Sequence, residues 1–376
     1  MRIVLVTHFY PAHGGGIELV ARQLAEHMVA AGHEITWCAS DTDDPPDLPG
    51  ATFVPMRCFN AIERRTGFPY PLWGPRSLAR LSNQVQRSDA VHVHDCIYLG
   101  SLAAAWLAGW HRKRLVVTQH IGEVPLPALL RPMLSLANRL GAWLVLTRAQ
   151  GVAFISPLVK RHFETLTGPQ PHFHYVANGV DHDVFHAVAA TPTSLRAALG
   201  FDPARPLMLF VGRFVAKKRL PLLRKMAAAR PDWQWCVIGH GPEQPRSWGL
   251  TNVQVKPPMT QPELAAHYRA ADLLVLPSEG EGFPLVVQEA MACGLPACIT
   301  AEVAAGSTLS RGLWLELTEA PGETALRGVL AIDEWLTTSQ SARQSQREKC
   351  ARFAASTWRW GKAAQAHVDW LRGTTP

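Results

Sequence analysis

The nineteen residues Ser278-Glu-Gly-Glu-Gly-Phe-Pro-Leu-Val-Val-Gln-Glu-Ala-Met-Ala-Cys-Gly-Leu-Pro296 decide the fold. They follow the apolar run Asp272-Leu-Leu-Val-Leu-Pro277, which reads as a strand buried on both faces of a parallel sheet. A turn rich in Gly and Glu comes next, and Leu285–Cys293 then reads as a helix stopped by Gly294 and Pro296. The start of such a helix presents backbone N–H groups with no partner inside it, a seat for a phosphate. Glu281 stands on the turn and Glu289 two helical turns on, so both can face one ligand. Two acceptor-only carboxylates beside an anion seat suit a molecule that is both hydroxyl-rich and phosphorylated, such as a nucleotide sugar. The same spacing also fits any doubly wound unit in which an acidic residue merely caps a helix.

Outward from this motif the chain alternates short apolar strands with helical patterns. Ile3–Thr7, Glu34–Ala39, Ala90–His94, Leu115–Thr118 and Gly151–Ile155 read as strands in the first half. Leu207–Gly212, Gln234–Gly239, Val253–Lys256, Asp272–Leu276 and Ala297–Thr300 do so in the second. The fold class is therefore α/β with parallel sheets, and 376 residues suffice for two cores. The stretch His186–Ser194 is small, polar and unpatterned, and reads as the linker. A hydrophobic share of 47% against 18% charged residues excludes a disordered chain. No run reaches the roughly 18 apolar residues of a spanning helix; Gly141–Val152 is broken by Thr147, Arg148 and Gln150. Met1–His8 reads as a first strand, and no signal peptide is expected before it. Its seven cysteines include no Cys-x-x-Cys pair, which points to reduced thiols in a cytoplasmic setting.

Further stations carry chemistry. In Phe210-Val-Gly-Arg-Phe-Val-Ala-Lys-Lys218, Arg213 ends a strand and Lys218 starts the next helix. Two cations at the carboxyl edge of a parallel sheet stand where doubly wound folds bind ligands. In His13-Gly-Gly-Gly-Ile-Glu18 the glycines admit a phosphate close to the backbone. The dinucleotide pattern Gly-x-Gly-x-x-Gly is absent, which disfavours an NAD site. Val117-Thr-Gln-His-Ile-Gly122 sets His120 just past a strand end, and Val176-Ala-Asn-Gly-Val-Asp181 reads as a turn that sets a hinge. The spacing His92-x-His94 puts two imidazoles on one face of a strand, but no third ligand accompanies them, so a metal site is not expected. His172 and His174 read as loop residues. Neither a Gly-x-Ser-x-Gly elbow nor a Walker loop occurs, which removes the usual hydrolase and P-loop readings.

The pattern Glu281-Gly-Phe-Pro-x4-Glu289-Ala-Met-Ala-x-Gly-x-Pro296 closely resembles the signature of the retaining family 4 glycosyltransferases. The resemblance extends over nearly the whole chain, most strongly over residues 205–300. It implies the GT-B architecture: two Rossmann-like doubly wound domains facing across a cleft, with a C-terminal helix crossing back onto the first. The expected divisions are an acceptor domain at 1–186, a donor domain at 187–357, and the helix at 358–376. It further implies that Glu281 meets the donor sugar, Glu289 the ribose, and Arg213 with Lys218 the diphosphate. Gly15 and Gly16 would close over the diphosphate. Gly282, Phe283, Pro284, Leu285 and Val286 would complete the donor wall, and His120 would approach the reacting carbon. The implied catalytic set is His120, Arg213, Lys218 and Glu281. No metal or other cofactor is implied, since the side-chain cations supply the counter-charge and the leaving phosphate takes the acceptor proton. Replacing either Arg213 or Lys218 by Ala should then weaken donor binding and leave ligand-free stability unchanged. The family usually places Gly after this lysine, where the present chain has Arg219. Two alternatives share the two-domain plan: a nucleotide-sugar epimerase or glycogen-synthase-like polymerase, and a non-catalytic sugar-nucleotide-binding protein.

Charge distribution addresses the acceptor. The net charge is +7, and between Pro55 and Leu140 eleven basic residues stand against four acidic ones. Phe59, Phe68, Tyr70, Trp73, Trp106 and Trp110 are interleaved with them. No nucleic-acid-binding motif accompanies this stretch. Basic residues mixed with aromatics suit an anionic leaflet, so the expectation is a peripheral enzyme on the inner face of the plasma membrane, acting on a lipid-linked or growing glycan.

Overall fold

The computed structural model describes residues 1–66, 70–122, 131–307, 312–318, 320 and 322–374, with Thr66 and residues 131–138 described by backbone alone. The chain forms two compact units, one of Met1–Asn178 with Trp360–Pro376 and one of Gly179–Arg359. In the first lie β1 (Arg2–Val6), β2 (Glu34–Ser40) and β3 (Ala51–Met56), then the short ribbon strands β4 (Cys58–Phe59) and β5 (Leu72–Trp73). These are followed by β6 (Ala90–His94), β7 (Arg114–Gln119), β8 (Gly151–Phe154) and β9 (Phe173–Tyr175). All but the ribbon join one parallel sheet in the order β3-β2-β1-β6-β7-β8-β9. The second unit carries β10 (Leu207–Val211), β11 (Gln234–Ile238), β12 (Val253–Lys256), β13 (Leu273–Leu276), β14 (Ala297–Thr300) and β15 (Trp314–Leu317). They form a parallel sheet in the order β12-β11-β10-β13-β14-β15. Helices link most successive strands, with β2 passing to β3 through a loop, and the central strands β1, β6, β10 and β13 bury their apolar runs.

Every strand read from the sequence is present within a residue or two of its expected ends. The additional β3, β9 and β15 all lie at sheet edges, where half-exposed strands need no apolar run. Pro55 lies within β3, as an edge strand tolerates. His174, expected in a loop, lies on β9 with its ring stacked 4.8 Å from that of Trp370.

The chain divides at Asn178–Gly179, inside the turn Val176–Asp181, whereas the sequence expectation put the boundary after His186. Phe185 is buried against Tyr268, and the Arg269 guanidinium donates to the carbonyls of Val184 and His186. Those contacts hold the segment before the exposed stretch within the second unit. The later boundary falls at Arg359–Trp360, compared with an expected 357/358. Trp358 stays with the second unit because its ring is buried against Phe283 and Phe353. Of the aromatics in the basic stretch, Phe59, Trp106 and Trp110 are exposed. Trp73 is buried and donates its indole N–H to Ser40, and Tyr70 is half-buried with its hydroxyl on the Ile97 carbonyl. Phe68 lies outside the described residues.

All seven cysteines are free, and burial pushes the thiols of Cys38, Cys236, Cys293, Cys298 and Cys350 up to about 12. Among the described residues no helix is long and apolar enough to cross a membrane.

The helix Trp360–Arg372 packs on the helix Gly16–Ala30 and on β6, β7 and β8 of the first unit. It packs tightly at Gly151, where an added Cβ would stand 2.6 Å from the Trp370 ring. Gly151→Ala should therefore overpack this contact and lower unfolding stability by about 1–3 kcal/mol. Gly109→Ala is the control, since it has open space on a helix and should raise stability by up to about 1 kcal/mol. Chemical denaturation of both variants checks the pair, and equal behaviour would dismiss the close packing of the C-terminal helix.

Candidate functional site

In the second sheet the strand order reverses between β10 and β13, the switch point at which doubly wound folds open a binding crevice. The loops leaving these two strands carry Arg213–Lys218 and Ser278–Pro284, and they are tied together. Lys218 Nζ stands 2.8 Å and 2.9 Å from the two carboxylate oxygens of Glu281, and Lys217 Nζ stands 3.2 Å from it. The Glu279 amide donates to the Lys217 carbonyl at 2.9 Å, and Arg219 pairs with Glu279 at 3.0 Å. Both the Lys218 and Glu281 side chains are 10% exposed. Burial alone would raise the Glu281 carboxyl, but the two lysines outweigh it and hold the group below the usual carboxylate range. Burial pulls the Lys218 ammonium down, against the opposing pull of Glu281. Arg213 is exposed, and among the described residues its guanidinium has no hydrogen-bond or ion-pair partner.

The expectation that Arg213 and Lys218 are equally dispensable to stability is therefore corrected. Among the described residues the Arg213 guanidinium has no partner to lose, whereas Lys218→Ala would strip a buried carboxylate of its main counter-charge. The departure at Arg219 also has its explanation. Its backbone sits in the left-handed region at φ 53°, ψ 43°, a conformation that costs an L-residue about 1–2 kcal/mol and that glycine adopts freely. Arg219 keeps the turn that a glycine would make, and its guanidinium pairs with Glu279 beside it.

The helix Leu285–Ala292 has Pro284 at its N-cap, which offers no side-chain cap to its first N–H groups. The loop ahead of it is braced from below. An added Cβ at Gly306 would fall 1.9 Å from the Gly282 carbonyl, and the Gly280 amide donates to Glu302 at 2.9 Å. The Phe283 ring turns inward onto Trp358, 5.6 Å between centroids, so this residue offers ligand its backbone rather than its ring. Leu285 and Val286 remain half-exposed. Glu289 is buried, accepts a hydrogen bond from the Tyr268 hydroxyl at 3.0 Å, and is pushed by burial up to about 7.

The first sheet reverses between β1 and β6. Just past β6, Asp95 is buried with φ 57°. Its Oδ1 accepts the backbone N–H of His120 at 2.8 Å and of Ile121 at 3.2 Å, and the Gln119 side-chain amide at 2.8 Å. This clamp fixes the loop that carries His120. The His120 Nε2 lies 2.9 Å from His94 Nδ1. Burial, with His8 and His367 nearby, pushes the His120 imidazole down to about 3, so it is neutral at physiological pH.

His92 and His94 belong to a column of side chains in the core. His92 Nε2 lies 2.8 Å from the Thr118 hydroxyl, which lies 2.9 Å from His367 Nε2 of the C-terminal helix. Among the described residues no three His, Cys, Asp or Glu group to hold a metal. The two glycines of the first loop differ: Gly16 has open space, whereas an added Cβ on Gly15 would fall 2.0 Å from a carboxylate oxygen of Glu18. That buried carboxyl group lies 2.9 Å from His8 Nε2 and fills the space beside Gly15.

Lys217, Tyr268, Asp95 and Glu18 escaped the sequence reading. Lys217 stood beside the chosen lysine with nothing to separate the two. Tyr268 reaches Glu289 from another helix, a contact that no local spacing encodes.

The buried Glu289 has a pH signature. Its carboxyl moves from 4.5 to about 7 on folding, so the native state binds this proton more tightly than the unfolded chain. The contribution of this group to stability is then greatest below pH 4.5 and declines as pH rises towards 7. Glu289→Gln removes that loss, so the variant should match the parent near pH 4.5 and exceed it by up to about 3 kcal/mol above pH 7. Denaturant titrations across this range check it; a difference independent of pH would mean that the carboxyl is not raised.

The family model described as Glycosyltransferase Family 4 matches residues 14–184, and that described as Glycosyl transferases group 1 matches residues 193–312. A D-inositol 3-phosphate glycosyltransferase of Mycobacterium sp. (strain JLS) is 30% identical over 323 residues, covering 75% of this chain and 69% of the relative. Among solved structures, sucrose-phosphate synthase from Thermosynechococcus elongatus has a TM-score of 0.77 at 19% identity, covering 99% of this chain and 98% of its own. Anabaena Alr3699/HepE in complex with UDP-glucose has a TM-score of 0.76 at 15% identity, covering 99% of both chains. These likenesses extend over both units, and the two family matches fall one on each sheet. The chain belongs to the family 4, group 1 glycosyltransferases, with their GT-B architecture of two Rossmann-like parallel-sheet domains.

Proposed function

We propose that the enzyme transfers a sugar from a nucleoside diphosphate to an acceptor hydroxyl with retention at the anomeric carbon. The acceptor in this reading is a lipid-linked or growing cell-surface glycan, and the setting is the cytoplasmic face of the membrane. The observation that carries the donor side is the switch-point cluster: unpartnered Arg213, the paired Lys218 and Glu281, and the uncapped start of helix Leu285–Ala292. Arg213 and the helix-start amides take the diphosphate, and Lys218 shares its charge between Glu281 and a phosphate oxygen. Glu281 accepts from donor sugar hydroxyls, and Glu289, oriented by Tyr268, accepts from the ribose.

In the transfer the bond from the anomeric carbon to the diphosphate oxygen breaks. The bond to the acceptor oxygen forms on the same face, and the acceptor proton passes to the leaving phosphate. Glu281, held by two lysines, is poorly suited to attack, which favours this route over a covalent glycosyl-enzyme. Arg213 and Lys218 supply the counter-charge, so the reading includes no divalent ion. In the first unit His120 serves as a neutral hydrogen-bonding group.

Anabaena HepE is solved with UDP-glucose, which makes UDP-sugars the first donors to try, beside GDP- and ADP-sugars. The likeness to the D-inositol 3-phosphate glycosyltransferases favours a second reading, in which the acceptor is a small phosphorylated cyclitol.

Slow hydrolysis of the correct nucleotide sugar without acceptor is expected, and its absence with every donor would favour a non-catalytic binder. Arg213→Ala should weaken nucleoside-diphosphate binding by roughly 1.5–3 kcal/mol, read by calorimetry, with ligand-free melting unchanged. Unaltered binding would remove Arg213 from the site. NMR of the product should show an α linkage from an α donor; a β linkage would overturn retention.

A further inference from the structure

Two neighbouring helices of the first unit expose side chains that helices usually bury. Helix Leu99–Trp110 turns out Trp106 and Trp110, 57% and 71% exposed, with ring centroids 5.6 Å apart in a stack. Helix Arg131–Leu146 packs beside it and turns out Leu140, Trp143 and Leu144 at 54%, 52% and 41% exposure. Each helix joins neighbouring strands in the order β6-β7-β8. Right-handed crossovers therefore put both on one face of the sheet, running in the same sense. They meet where an added Cβ on Gly141 would stand 3.2 Å from Leu102. One helical turn beyond that contact lie Trp106 on one helix and Leu144 on the other, so the exposed sets adjoin.

The two helices and the residues that follow them carry charge of one sign. From Cys96 to Gly122 and from Arg131 to Gln150 the sequence contains no Asp or Glu. Arg112, Arg139 and Arg148 are exposed and Lys113 is half-buried. Singly scattered apolar residues would need no explanation, whereas these adjoin. Three outward tryptophans with leucines, on helices whose own and following residues include cations and no Asp or Glu, match the chemistry of an anionic bilayer surface. There the rings sit at headgroup level and the cations meet lipid phosphates.

We propose that this two-helix face docks the protein on an anionic lipid bilayer through Trp106, Trp110 and Trp143, with Arg112, Lys113 and Arg148 on the headgroups. The inference deepens the lipid-linked acceptor reading and rests on it for its purpose, but its test uses no acceptor.

The experiment is co-sedimentation of the full chain with phosphatidylcholine vesicles, with and without phosphatidylglycerol. The wild type should bind the anionic vesicles alone and be released by high salt. Trp106→Ser/Trp110→Ser/Trp143→Ser should lose binding at least tenfold. Arg112→Gln/Lys113→Gln/Arg148→Gln should lose roughly a hundredfold on anionic vesicles. Both variants should keep wild-type melting and acceptor-free hydrolysis of the nucleotide sugar. Indifference to lipid charge, no binding by the wild type, or full binding by the tryptophan variant would overturn the proposal. So would a concentration-dependent dimer in sedimentation velocity that the tryptophan variant abolishes, since the face would then belong to a second copy. Vesicle binding without any hydrolysis would leave the docking face standing and remove the transfer reading.

Discussion

A carboxylate that is nine-tenths buried stays ionised only with a counter-charge at contact distance, because desolvation otherwise favours its neutral form. In the second unit that carboxylate is Glu281, and Lys218 and Lys217 supply the charge. The pair also ties the loop after β10 to the loop after β13, so the two chain segments at the switch point hold one geometry. Arg213, Gly282 and the start of helix Leu285–Ala292 inherit their positions from that tie. The ligand-free site keeps its acid and its base satisfied by each other. A phosphorylated, hydroxyl-rich ligand offers each a new partner without leaving either buried charge alone.

Glu289 shows the opposite solution to burial. With Tyr268 as its hydrogen-bond donor and no cation beside it, its carboxyl rises to about 7. Two glutamates eight positions apart in sequence thus differ in charge at neutral pH, for reasons that lie in the side chains around them. The histidine column of the first unit follows the same physics with the sign reversed: burial keeps His92, His94, His120 and His367 neutral. Through Thr118 the column joins β6 and β7 to the C-terminal helix, and Asp95 fixes the loop of His120. Along the column His92 and His367 meet the Thr118 hydroxyl, and His94 meets the His120 ring.

The sequence by itself determined the strand–turn–helix alternation, the two parallel sheets, the signature loop with Glu281 and Glu289, and the cations Arg213 and Lys218. These are local: an apolar run of strand length, a glycine-rich turn and an acid at a fixed helical spacing are all visible along the chain. The edge strands β3, β9 and β15 were not legible, because half-exposed strands lack that run. Only the tertiary structure decided that Lys218 is bound to Glu281 while Arg213 is unpartnered, that Tyr268 orients Glu289, that Glu18 covers Gly15, and that Trp73 is buried while Trp106 and Trp110 are not. It also put the division between units at Asn178–Gly179, where packing of Phe185 and Arg269 outweighs the composition of the exposed stretch beyond. Each of these depends on groups brought together from distant parts of the chain, and burial, which sets both charge state and exposure, is a property of that assembly.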